Sequence, residues 1–170
     1  MDVRQSIDTY AKDISCIPQV TQRSPNLSGK GVIIAVLDSG IDYFSPEFRL
    51  ANGKTRILAI WDQAAKPNEE KGQLPPEGYR EGVLYTRERI DEALATDSRE
   101  KGFQIVPHRD TSGHGTAVAG VAAGTKTGVA PEAELIIVKL ATPLPNTFPR
   151  TTQLMRGITY AVNMGVALDR

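Results

Sequence analysis

The sequence predicts an α/β fold with parallel strand pairing, and three observations carry that prediction. Residues 32–37 (Val-Ile-Ile-Ala-Val-Leu) are a continuous apolar run, the pattern of a strand covered on both faces, found mainly in parallel sheets. Residues 134–140 (Glu-Leu-Ile-Ile-Val-Lys-Leu) repeat the pattern. Between and after these runs lie stretches with apolar residues at helical spacing, so strands and helices alternate as parallel pairing requires.

In chain order, residues 1–28 open with Val3, Ile7, Tyr10 and Ala11, the pattern of a short amphipathic helix, and break at Pro18 and Pro25 into a surface lead-in. Gly29-Lys30-Gly31 makes a turn into the first strand, which stops abruptly at Asp38-Ser39-Gly40. An aspartate at the carboxyl end of a buried strand lies where open α/β sheets place ligands and chemistry. A turn-capping aspartate fits that position as well, and the strand alone does not separate the two. Pro46 fixes one turn and Asn52-Gly53 another. Residues 55–61 read as a strand ending at Asp62, and residues 63–82, rich in Gly, Pro and charge, read as a surface excursion. Residues 86–94 predict a helix capped by Thr86, with Ile90, Ala93 and Leu94 on its apolar face.

Residues 110–124 are the centre of the sequence. Thr111 and Ser112 can cap a helix whose apolar positions are Ala117, Val118, Val121 and Ala122, which puts His114 at its N-terminus between two glycines. The positive end of the helix dipole disfavours a charged ring there, so the imidazole is expected to stay neutral and able to accept a proton. Taken alone, such a histidine also reads as a capping or solvent-facing side chain. Gly128-Val129-Ala130-Pro131 then turns the chain into the strand at 134–140. Pro143, Pro145 and Pro149 enforce an extended loop, and Thr151 or Thr152 caps a last helix with Leu154, Ile158, Ala161, Val162 and Met164 on one face.

Composition removes several function classes. The 170 residues suffice for one ordinary core. Twenty basic residues balance twenty acidic ones and do not cluster on one face, so the electrostatic footprint of a nucleic-acid binder is lacking. Cys16 is the single cysteine, which excludes an internal disulfide and a Cys-rich zinc motif. The first residues lack an apolar signal core, and no run approaches a membrane span, which leaves the compartment open. A dinucleotide site would need a glycine-rich turn after the first strand, where this sequence has one glycine. Gly124-Thr125-Lys126-Thr127 lacks the Gly-Lys-Ser/Thr order of a phosphate loop. His108, His114 and nearby acids lack metal-ligand spacing, as do Cys16 and His108.

Together, Asp38-Ser39-Gly40-Ile41-Asp42 after the first strand and Gly113-His114-Gly115-Thr116-Ala117-Val118-Ala119-Gly120 resemble the aspartate and histidine boxes of the subtilisin-like serine proteases, the subtilases. Gly128-Val129-Ala130-Pro131 and the following strand extend the resemblance over residues 29–168. It implies a parallel-sheet, three-layer subtilisin-like fold of which the N-terminal part is present. The division is a lead-in at 1–28 and a partial catalytic domain at 29–170, with an insertion at about 51–109. The implied function is serine-type endopeptidase, with a protein or peptide as substrate and neither nucleic acid nor membrane as partner. Residue by residue, Asp38 matches the orienting carboxylate and His114 the general base of an Asp-His-Ser triad. Asp42 is the rival carboxylate, and the match assigns it a structural role.

The nucleophile box of the family, Gly-Thr-Ser-x-Ala, does not occur in these residues, and Ser112, inside the histidine box, does not match it. The chain by itself is therefore expected to be inactive, to show an exposed sheet edge and apolar face, and to have the missing C-terminal part of the domain as a partner. No cofactor is assigned. Many subtilases carry a calcium loop after the histidine helix, but here Thr125-Lys126-Thr127 leads straight into Gly128; Glu47 matches a position often carboxylate in that site and reads equally as a solvated surface acid. The insertion, with Trp61-Asp62-Gln63, resembles the germination proteases of spore-forming clostridia, some of them pseudoproteases. That resemblance fits an extracellular or spore-associated setting and supplies the alternative of a non-catalytic, partner-binding module. Pro143, Pro145 and Pro149 are expected to edge a substrate cleft.

Overall fold

Among the described residues, four strands make one sheet: β1 (Ile33–Asp38), β2 (Ile57–Asp62), β3 (Val83–Thr86) and β4 (Glu134–Lys139), in the spatial order β1-β4-β2-β3. The computed structural model describes residues 11–21, 27–141 and 151–168; the expectations for residues 1–10, Pro25 and the prolines at 143, 145 and 149 fall outside them. β4 pairs in parallel with β1 on one side and β2 on the other, while β3 runs antiparallel to β2. The register brings Asp38, Lys139 and Asp62 into one row across the carboxyl ends of the three parallel strands.

Helices cover both faces. One face carries α2 (Arg87–Leu94), α3 (Arg99–Ile105) and α4 (His114–Ala123), and the other carries α5 (Thr151–Ala167). The side chains of β4 alternate between the two cores: Leu135 and Ile137 pack with Ala119, Ala123 and Ile90, whereas Ile136 and Val138 pack with Tyr160 and Ala161. All four of these β4 residues are fully buried, each worth roughly 1.5–3 kcal/mol relative to exposure. In β2, Ile57 and Ile60 face the same core although three residues apart, because the ladder with β4 slips between Ile57 and Ala59. Trp61, on the α5 side, stacks with Tyr79 at 4.5 Å and Tyr160 at 5.1 Å, and its ring N–H donates to Glu81 O at 3.1 Å. α5 lies close to the sheet at Gly157, where a Cβ would sit 2.9 Å from Leu37 and 3.1 Å from Val138.

Several sequence expectations change. β1 is not buried on both faces: it is the sheet edge, with Val36 alone of its residues fully buried, Ala35 exposed and the preceding Val32 half exposed. Among the described residues, this edge carries apolar side chains. The apolar spacing read in α4 names the wrong stripe. Val118 and Val121 face solvent, and Gly115, Ala119 and Ala123, four residues apart, are the positions pressed on the sheet, since a small stripe permits closer approach. In α5 the expected face is half right: Ala161 is buried and Met164 packs partly on the core, with Gly157 and Tyr160, while Leu154, Ile158 and Val162 are exposed. The break expected at Pro18 falls just ahead of it: the helix that runs through residue 14 ends in a turn at residues 15 and 16, with Cys16 at φ 56°. α1 (Ile17–Thr21) then starts one residue before Pro18, which fits the first helical turn because its missing N–H has no partner there. β3 and α3 were not legible as elements. β3 is four residues running directly into α2, and α3 has a short, weakly apolar sequence, capped by Ser98, which accepts from Lys101 N–H.

Candidate active site

β1 delivers Asp38 to the carboxyl edge of the sheet, and the chain turns away through Ser39, Gly40 and Ile41. α4 begins at His114, directly after Gly113, whose φ of 75° lies in the left-handed region. Small residues set the approach: a Cβ on Gly115 would collide with the Gly40 carbonyl oxygen and sit 3.1 Å from the Asp38 Cβ. The result is that Asp38 Oδ1 and Oδ2 lie 2.8 and 2.9 Å from His114 Nδ1. A carboxylate only accepts, so Nδ1 carries the proton and donates, and Nε2 is the basic nitrogen. The imidazole is 72% exposed, against 20% for the Asp38 side chain.

The protonation tendencies follow. The hydrogen bond to Asp38 and the charge of Asp38, with a further contribution from Asp110, raise His114 above the ordinary histidine value. The direction is opposite to the one expected from the helix dipole, because a carboxylate in contact outweighs partial charges at a helix end. Partial burial alone would raise Asp38, but the hydrogen bonds from His114 and Ser39 N–H and the charge on His114 outweigh it and hold the carboxyl below its ordinary value.

Asp110 organises the junction. It accepts from Ser39 Oγ at 2.8 Å, Gly113 N at 3.0 Å, Thr116 N at 2.9 Å and Thr116 Oγ1 at 2.6 Å. Its partial desolvation, which raises the carboxyl, is overcome by these donors, and it titrates at about 2. Ser39 Oγ also accepts from Gly115 N at 2.9 Å, and Thr116 Oγ1 accepts from Asp42 N at 2.8 Å. Sequence reasoning missed Asp110, Ser39 and Thr116; an aspartate three residues before a glycine at a helix start is a turn signal that could have marked the first of them.

Of the other candidates, Asp42 turns away: its carboxylate receives Arg99 at 2.7 Å and Phe44 N at 3.2 Å. Ser112 Oγ accepts from His114 N at 3.1 Å, sharing the capping that was assigned to it and Thr111 with Asp110. His108 is fully buried and contacts Asp62, and Cys16 is exposed. Among the described residues no group of three or more His, Cys, Asp or Glu could hold a metal ion. The place after α4 where the resemblance implies calcium does not fit one. Arg56 donates there to Ala133 O at 2.5 Å, Ala123 O at 2.5 Å and Glu47 O at 2.6 Å, and Glu47 Oε2 accepts from Lys126 N at 3.0 Å. Three main-chain carbonyls around the end of α4 are thus taken by a guanidinium.

A strand-end aspartate is thus hydrogen-bonded to an exposed imidazole at a helix start, on a mixed, mainly parallel sheet with helices on both faces. Residues 29–168 match the model of the subtilase family, peptidase S8, and the chain belongs to that family, a family of serine proteases. Among solved structures it resembles the CspB protease of Clostridium perfringens, with a TM-score of 0.76 and 34% identity over 94% of this chain and 31% of that one. Among curated proteins it is 32% identical over 152 residues to the subtilisin-like protease SBT3 of Solanum lycopersicum, covering 81% of this chain and 19% of that protein. The chain thus spans less than a third of the length of either relative. No helix among the described residues is long and apolar enough to cross a membrane.

Proposed function

We propose that this chain supplies the aspartate and histidine of a subtilisin-type serine endopeptidase, with Asp38 orienting the ring and His114 as general base. The nucleophilic serine and the oxyanion-hole donors come from the remainder of the catalytic domain. The observation that carries this reading is the pair of 2.8 and 2.9 Å contacts from Asp38 to Nδ1, which leave Nε2 on an exposed ring. A serine hydroxyl is a weak nucleophile until a base removes its proton, and the base needs its tautomer held. Asp38 and His114 meet both needs, and proteins or peptides are the substrates, as for a peptidase.

A second reading is a non-catalytic module that binds a protein through the uncovered β1 edge. The apolar residues along that edge and along α5 favour it. Labelling with a serine-reactive fluorophosphonate separates the two. The test protein is the chain joined to the remaining catalytic domain of the gene product, with the chain alone as control. Labelling that disappears in His114→Ala supports the protease, and an unlabelled protein supports the binding module.

A further inference from the structure

The molecule contains a second histidine–aspartate pair that the triad does not use. His108, with a completely buried side chain, donates from Nδ1 to Asp62 Oδ2 at 2.7 Å and accepts at Nε2 from the Ile41 backbone N–H at 3.1 Å. An amide N–H can only donate, so Nε2 is unprotonated, and Asp62 selects the tautomer that makes it so. Asp62 is itself fixed. Burial would raise its carboxyl, but the hydrogen bond from His108, the charge of Lys139 and the backbone N–H of Ala64 bring it below the ordinary value.

We infer that His108 and Asp62 are a positioning pair that sets the backbone of the Asp38 loop, and with it the contact between Asp38 and His114. Ile41 lies three residues after Asp38, and Asp62 stands in the same register row as Asp38, two strands away. His108 also presses on Gly40, whose φ is +122° and where a Cβ would be 3.0 Å from both Cε1 and Nε2 of the ring. Each residue of the turn is thereby held from residues 108–116: Ser39 by Asp110, Gly40 and Ile41 by His108, and Asp42 N by Thr116. Of these holds, the one on Ile41 is anchored in the sheet, through Asp62 at the end of β2. A turn tied to α4 alone could move with α4; tied also to β2, it gives Asp38 a fixed frame. This rests on the dyad reading above.

The chain has two histidines, so ¹⁵N-imidazole NMR resolves each ring, and the readout is the titration midpoint of His114. His108→Gln keeps an acceptor for Ile41 N–H and is expected to retain the raised midpoint. His108→Leu fills the space without an acceptor, and Asp62→Asn lets the ring take the other tautomer; both are expected to drop the His114 midpoint toward the ordinary histidine value. Asp62 is not among the charges that raise His114, so a drop in that variant reports geometry. An unchanged midpoint in folded His108→Leu and Asp62→Asn overturns the inference, and if the first does not fold the second decides. Failure of both to fold assigns the pair to sheet stability and also overturns it. A wild-type His114 without a raised midpoint would instead defeat the dyad itself.

Discussion

Asp38 and His114 shift one another in opposite directions: the carboxyl is held down and the imidazole is held up. A histidine raised on folding contributes stability that is complete below its unfolded value and is lost as pH rises through the folded one. The window therefore opens at the ordinary value of 6.5 and extends upward. Because the ring is 72% exposed, solvent screening keeps that contribution small, and the pair matters for chemistry rather than for folding. Asp38→Asn should return the His114 midpoint toward 6.5, read by NMR on the chain. The amide can present its NH₂ to Nδ1 and force the proton onto Nε2. In a complete catalytic domain the same change should slow probe labelling about 10⁴-fold, the usual cost of the wrong tautomer in such a triad.

The start and the end of α4 are secured by different devices. At the start, Asp110 collects donors from Ser39, Gly113 and Thr116, which lowers it from 3.8 to about 2. A lowered carboxyl contributes stability that is present above its unfolded value and lost as pH falls through the folded one. Acid denaturation should therefore draw on Asp110 between 3.8 and about 2, and in Asp110→Asn the slope of unfolding free energy against pH in that window should be shallower. At the end of α4, Arg56 is 3% exposed and donates to three main-chain carbonyls. Arg56→Met removes those donors and should cost on the order of 3 kcal/mol, about 1 kcal/mol for each carbonyl left without one. Urea unfolding would show it as a lower midpoint at an unchanged slope. A chelator should leave the wild-type midpoint where it is, since among the described residues no cluster of three or more His, Cys, Asp or Glu could hold a metal ion.

Across the described residues, one side of the sheet is closed and the other exposes apolar side chains. The core beneath α2, α3 and α4 is closed by Tyr43, Phe48 and Ile90, all nearly inaccessible. On the α5 side, Ile158, Val162 and Val166 form an exposed stripe, and a groove of about 470 Å³ runs between α5 and β1, lined by Val32, Ala35, Ala161 and Val162 among others. An exposed apolar face beside an open strand edge favours association. Replacing Val162 and Val166 with lysine should reduce dye binding by the chain and its self-association, seen by fluorescence and light scattering. Stability should change by no more than about 0.5 kcal/mol, because both side chains already face water.

The sequence by itself determined the α/β class, three of the four strands, and Asp38 and His114 as the residues to watch. Each of those rests on signals local to a few residues: an apolar run, a strand-end acid, a histidine between glycines. The tertiary structure alone decided which stripe of α4 and α5 is buried, because two apolar stripes on one helix look alike until the sheet chooses one. It also decided that β1 is an edge, that Arg56 binds the carbonyls at the end of α4, and that His108 meets both Ile41 and Asp62. Those contacts join residues 46 to 77 positions apart, and the geometry that makes them exists only after the strands have paired.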